Sequence, residues 1–203
     1  MKICGITRLA DAELAVECGA TALGFVFWPN SPRFVDPEAA GAIVATLPST
    51  VLPVGVFVNQ SREYVNDVAE KVALGAIQLH GDETVTYAKA MIRRVFKAIA
   101  LADATEASIA AWPEETMVLL DVHDPMRRGG TGKTVDWSRA STVARRRPVI
   151  LAGGLTPENV SDAVVCVGPS GIDVSSGVER APGVKDPGKL RALFAAVKQV
   201  EKR

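Results

Sequence analysis

A thiol at Cys4 and a carboxyl at Asp121 stand at matching places in this sequence. Cys4 closes the opening strand-like segment and is followed by Gly5-Ile6-Thr7, where a strand gives way to glycine and a helix start. Asp121 ends the apolar run Met117-Val118-Leu119-Leu120 in the same way. A thiolate can take a proton from carbon and a carboxylic acid can give one to a leaving oxygen, so the pair suits an isomerase. A thiol beside a helix N-terminus and anion-binding groups is expected to have its pKa lowered toward neutrality. A carboxyl desolvated in a partly apolar cavity is expected to shift upward instead, so that it still holds its proton when it acts. Cys18 and Cys166 fall in helical segments and read as structural, while Asp124 reads as more solvated than Asp121.

Other residues look suited to binding. Glycines let backbone amides approach a phosphate closely, and Gly153-Gly154 and Ser175-Ser176-Gly177 follow the last two strand-like runs, with two hydroxyl donors among them. A phosphate ester is the expected substrate. Arg33, in the proline-containing loop Asn30-Ser31-Pro32-Arg33, can grip a carboxylate through two parallel hydrogen bonds. His80 and Asp173 are further polar groups at strand ends. The segment Arg128-Gly129-Gly130-Thr131-Gly132-Lys133-Thr134 contains Gly-Lys-Thr, but Arg127 stands where a nucleotide-binding P-loop requires its first glycine. It reads as a mobile loop over the site, or as an ordinary surface loop.

These groups need a scaffold, and the chain repeats one: a short Val/Ile/Leu-rich run, a polar or glycine turn, then a segment of helical spacing. Strands are predicted over 1–4, 22–27, 52–58, 76–79, 95–99, 117–122, 149–152 and 171–174, as near-continuous apolar runs suited to burial on both faces. Helices are predicted over 8–18 closed by Gly19, 36–47 opening with Asp36-Pro37, 61–72 capped by Ser61, 83–91, 105–111, 136–146, 157–165 capped by Thr156, and 187–201 capped by Asp186. Eight strand–helix pairs fit a single-domain (β/α)8 TIM barrel spanning 1–203, with an open doubly wound sheet as the alternative, since periodicity cannot establish closure. In either fold functional groups gather at the carboxyl ends of the strands, where the residues above fall.

At 203 residues and 48% hydrophobic content the chain can bury one sizeable core. Its 23 basic and 23 acidic side chains cancel, which gives no sign of a nucleic-acid or membrane partner and points to a small molecule. No apolar run reaches membrane-span length and no secretion signal is legible, so a cytoplasmic protein is expected. Three cysteines without metal-type spacing favour neither disulfides nor zinc. Monomer and homodimer are both open.

Taken in order, Lys2-Ile3-Cys4-Gly5-Ile6-Thr7, Ser31-Pro32-Arg33, Gly55-Val56-Phe57-Val58, Gln78-Leu79-His80-Gly81, Leu120-Asp121, Gly129-Gly130-Thr131-Gly132-Lys133, Leu151-Ala152-Gly153-Gly154-Leu155 and Val174-Ser175-Ser176-Gly177-Val178-Glu179 closely resemble the phosphoribosylanthranilate isomerases of tryptophan biosynthesis. The resemblance covers essentially the whole chain. It implies a (β/α)8 barrel that performs an Amadori rearrangement without metal or organic cofactor. It further implies Asp121 as the acid that opens the furanose ring, Cys4 as the base at C2 and Arg33 as binder of the anthranilate carboxylate, with His80 and Asp173 as polar site positions. Two alternatives stand beside it. One is a related phosphosugar-barrel isomerase or synthase, on a histidine-pathway aminoaldose or on the next tryptophan intermediate, the latter with Lys97 as its acid. The other is a non-catalytic phosphate-binding module.

Overall fold

The computed structural model describes residues 1–121 and 137–200. The predicted runs form eight parallel strands, β1 (Lys2–Cys4), β2 (Ala22–Val26), β3 (Leu52–Phe57), β4 (Ala76–Leu79), β5 (Arg94–Ala100), β6 (Met117–Asp121), β7 (Val149–Ala152) and β8 (Gly171–Val174). They close into a barrel, with β1 pairing both β2 and β8, which rules out the open sheet. Closure satisfies the ladder groups at both edges and fixes which residues look inward. Lys2 and Cys4 sit in register with Ala22 and Gly24, and Lys2 also with Asp173.

Because side chains alternate along a strand, one set fills the barrel and the other meets the helices. One inner cluster joins Ala22, Val54, Ala76 and Phe96, and others join Cys4, Val26 and Val56, and Ala98, Leu119 and Ala152. The outward set, including Leu23, Phe25, Phe27, Phe57, Ile77 and Leu79, is fully buried under the helices. Each such large side chain contributes roughly 1.5–3 kcal/mol by leaving water. This alternation bears against Lys97 as the acid of the alternative synthase. Phe96 and Ala98 point in, so Lys97 points out, with Nζ bonded to Glu83 at 3.0 Å and to the Gly81 carbonyl and 5.6 Å over the Trp112 ring.

The helices are α1 (Leu9–Cys18), α2 (Pro37–Val44), α3 (Arg62–Lys71), α4 (Val85–Ala88), α5 (Glu106–Ala110), α6 (Trp137–Ala144), α7 (Val160–Val167) and α8 (Pro187–Val200). Their starts obey the local signals in most cases. Asp36 accepts from the Glu38 amide and Ser61 from the Tyr64 amide, while Gly19 closes α1 with φ 112°. Two helices begin well after their predicted starts. Glu83 does not begin α4; its buried carboxylate is taken by Lys97 and by the Asn59 and Gly81 amides. Nor does α7 begin at Pro157 under Thr156; it begins after Asn159, whose side chain accepts from the Thr156 amide and donates to the Gly154 carbonyl. A small hairpin, β9 (Glu179–Ala181) with β10 (Val184–Lys185), was not foreseen. The segments around Val122, Asp124 and Arg128 to Thr134, with their expected strand end and loop, lie outside the described residues.

Candidate active site

The expected residues gather at the carboxyl ends of the strands and divide into two groups. On one side Cys4 ends β1 with only 8% of its surface exposed, and Lys2 shares its face of the strand. Lys2 Nζ lies 2.8 Å from Asp173 Oδ2, an ion pair closed off inside the barrel, while Asp173 Oδ1 is buried with no hydrogen-bond partner among the described residues. The expected lowering of the Cys4 pKa is not found. Burial pushes the thiol up, and the charges of Lys2 and Lys185 only partly offset it. Sequence position gave neither these two cations nor the dryness of the cavity. Burial also weighs against the Lys2 ammonium, but Asp173 and Cys4 more than compensate and hold its pKa above the ordinary value.

Arg33 lies in the loop after β2, where its guanidinium already grips a carboxylate, that of Glu179. Nε is 2.9 Å from Oε1, and Nη2 is 2.7 Å from Oε2. Glu179 Oε1 also takes Lys185 Nζ at 2.9 Å. Lys185 in turn donates to the Cys4 carbonyl and, at 3.4 Å, to that of Ser175, and its amide donates to Asp11. Burial works against the Glu179 carboxylate, but its bonds to Arg33 and Lys185 win, and its pKa is lowered. Lys185 is shifted down because its burial outweighs Glu179. This network ties the loop after β2 to the backbone of the strand that carries the thiol. Sequence reasoning missed Lys2, Glu179 and Lys185 as site residues. The first was signalled by a lysine two places before Cys4 on the same strand face, whereas nothing local marks Lys185.

The second group is more open. His80, just beyond β4, and Asp121, ending β6, have side chains 37% and 25% exposed, with His80 Nε2 3.5 Å from Asp121 Oδ2. Gln78 donates to His80 Nδ1 at 2.9 Å, so the neutral ring carries its proton on Nε2, facing Asp121. Among the described residues Asp121 keeps part of its surface in solvent.

The glycine loops meet each other. Gly153 and Gly154 have φ of 89° and 62°, where a side chain would be strained, and a Cβ on Gly177 would fall 1.8 Å from the Leu155 carbonyl oxygen. The loops after β7 and β8 thus pack backbone to backbone, with Ser176 exposed beside them. Ser175 departs from expectation: its Oγ is buried without a partner and turned to Gly5, 3.0 Å from where a Cβ there would stand. Among the described residues no three His, Cys, Asp or Glu side chains converge as a metal site would need.

The arrangement can hold an anion at the glycine loops, a carboxylate near Arg33, and a carbon–oxygen framework between a thiol and a carboxyl. Comparison with known proteins identifies the family. The family model described as N-(5'-phosphoribosyl)anthranilate (PRA) isomerase matches residues 1–196. Relatives of that name are 46% identical over 200 residues in Citrifermentans bemidjiense (98% of this chain, 97% of that one) and 48% identical over 198 residues in Geobacter metallireducens (98% of each). The crystal structure of the Thermotoga maritima phosphoribosyl anthranilate isomerase superimposes with a TM-score of 0.88 at 43% identity, covering 100% of this chain and 98% of that one. A phosphoribosyl anthranilate isomerase in complex with reduced 1-(o-carboxyphenylamino)-1-deoxyribulose 5-phosphate gives 0.86 at 41% identity, covering 98% and 97%.

Proposed function

The chain belongs to the N-(5'-phosphoribosyl)anthranilate isomerase family, and on that premise we propose a division of labour among the residues at its barrel mouth. The reaction is the Amadori rearrangement of N-(5-phosphoribosyl)anthranilate to 1-(2-carboxyphenylamino)-1-deoxyribulose 5-phosphate, a step of tryptophan biosynthesis. Asp121 gives its proton to the furanose ring oxygen as the bond from that oxygen to C1 breaks, leaving an iminium ion. Cys4, as thiolate, then takes the proton from C2; the C–H electron pair becomes the C1–C2 double bond of an enolamine and the iminium nitrogen is neutralised. Loss of the enol proton and protonation at C1 give the ketone, with no net gain or loss of atoms.

Arg33 takes the anthranilate carboxylate with guanidinium edges not used by Glu179, and the amides of Gly153, Gly154 and Gly177 with Ser176 take the phosphate. Ser175, turned to Gly5, is a weaker phosphate ligand than Ser176. Asp173 Oδ1 and His80 face the sugar. The observation that carries the reading is that Cys4, Asp173, Asp121 and His80 lie at or beside the carboxyl ends of β1, β8, β6 and β4 of one closed barrel, with Arg33 and the glycine loops after β2, β7 and β8. A lysine acid, as in the alternative synthase, loses its support because Lys97 faces outward onto Glu83.

The test is to generate phosphoribosylanthranilate in situ and follow its fluorescence. Rapid loss on adding the protein is expected, and unchanged fluorescence with retained phosphate-ligand binding would support the non-catalytic alternative instead. We further propose a cytoplasmic site of action; among the described residues no helix is long and apolar enough to cross a membrane. A Thermotoga maritima relative is described as dimeric, and sedimentation decides between monomer and homodimer here.

A further inference from the structure

We propose that Lys2 is a positioning residue for Cys4: its ammonium, oriented by Asp173 inside the barrel, is the counter-ion that makes the thiolate accessible. The inference rests on the reading of Cys4 as the base, but it concerns the thiol's ionisation and is measurable without turnover.

Three observations carry it. First, Lys2 and Cys4 project from the same face of β1, and the neighbouring position on β2 is Gly24. A Cβ at Gly24 would stand 3.0 Å from Lys2 Nζ and 2.7 Å from Cys4 Sγ, so the ammonium and the sulfur share the space that a missing side chain leaves. Second, Lys2 is 2% exposed and has one carboxylate partner, Asp173 Oδ2 at 2.8 Å. An ammonium has three hydrogens to place, and the sulfur is the acceptor beside it. Third, packing gives no reason for a charge there. An apolar side chain fills a barrel interior without the large desolvation penalty of an ammonium, which only good pairing offsets.

Among the described residues, the charges facing Cys4 come from three elements and a loop. Lys2 faces it from β1, Asp173 from β8, Lys185 from β10 and Arg33 from the loop after β2, with Glu179 bound to the last two; the nearby β2 and β3 side chains, Val26 and Val56, are uncharged. Among the described residues the cations of this cluster exceed its carboxylates by one, so a thiolate at Cys4 brings it to neutrality. Lys2 is the strongest of the groups favouring that thiolate, and Asp173 opposes it.

The experiment uses a background in which Cys18 and Cys166 are replaced by serine, so that Cys4 is the sole thiol, and follows the pH dependence of its alkylation by iodoacetamide. Lys2→Met is expected to raise the midpoint by about one pH unit or more, and Asp173→Asn to lower it. The double variant Lys2→Met/Asp173→Asn removes both charges together, avoids a stranded buried carboxylate, and is expected to raise the midpoint by less than Lys2→Met alone. If Lys2→Met does not fold, the double variant decides. An unmoved or lowered midpoint in whichever of these folds overturns the proposal. The rising limb of kcat/KM against pH is expected to move with the alkylation midpoint. A midpoint that moves while the limb stays fixed would leave Lys2 as the counter-ion of Cys4 and remove Cys4 from its place as the base.

Discussion

The two sides of the barrel mouth are built on opposite plans. Among the described residues every charged group around Cys4 is buried or half-buried and paired: Lys2 with Asp173, and Arg33 and Lys185 with Glu179. Asp121 instead lies 3.5 Å from His80, and both side chains reach solvent. A base that must abstract a proton from carbon needs an ionisation set by fixed neighbours, because burial alone drives its pKa the wrong way. An acid that must be reprotonated in each cycle is served by contact with water and a nearby imidazole. Buried, ion-paired surroundings and partly exposed ones therefore correspond to the two halves of one proton transfer.

Replacing the groups one at a time breaks this contrast at different depths. Cys4→Ser should be the most damaging to turnover, about 10²- to 10⁴-fold, because a hydroxyl in the same cavity is far less acidic than a thiol. Circular dichroism should be unchanged, and near-normal fluorescence loss by the folded variant would remove Cys4 from the mechanism. Asp121→Asn should separate binding from chemistry. Titration with the reduced product analogue should give near wild-type affinity, while single-turnover conversion falls by roughly 10²-fold. Collapse of that affinity would make Asp121 a shaping residue instead.

The remaining predictions sharpen the contrast. Arg33→Met should raise KM for the anthranilate adduct by roughly 10- to 100-fold, the loss of a charge-assisted contact of about 1.5–3 kcal/mol, with inorganic phosphate competing almost as before. Because Arg33 also holds Glu179, the same change should lower thermal stability; equal weakening of both ligands would place Arg33 in the phosphate site or the fold. Glu179→Gln tests that internal network through pH. The folded-state pKa of Glu179 is depressed, so its contribution is present above the unfolded carboxylate value and is lost as pH falls through the folded one. The variant should therefore be less stable than wild type near neutrality and converge on it in acid. A difference that persists at low pH would show that the lost contribution is not ionic. His80→Gln should matter least, changing kcat by a few-fold, since a partly exposed contact at 3.5 Å contributes roughly 1 kcal/mol or less.

Most of the barrel could be read from the sequence because strands buried on both faces leave continuous apolar runs, and the helices between them carry local caps such as Asp36 and Ser61. The predicted helix over 83–91 starts late, as α4, because Glu83 is used by tertiary partners and not by the helix. The β9–β10 hairpin escaped because two or three residues carry no period to detect. Site residues such as Cys4, Asp121 and Arg33 were legible because strand ends are marked by the switch from apolar to polar or glycine residues.

The sequence by itself thus determined the repeating units, the strand ends where chemistry gathers and the family to which its motifs belong. Only the tertiary structure decided that Arg33 already holds a carboxylate of its own chain 146 positions away, that Lys2 pairs with Asp173 across 171, and that Lys97 looks outward. It also decided the direction of the Cys4 pKa. The reason is physical: apolar period and turn chemistry are local properties of the chain, whereas desolvation and ion pairing depend on which distant strands closure brings side by side, and no spacing along the sequence records that.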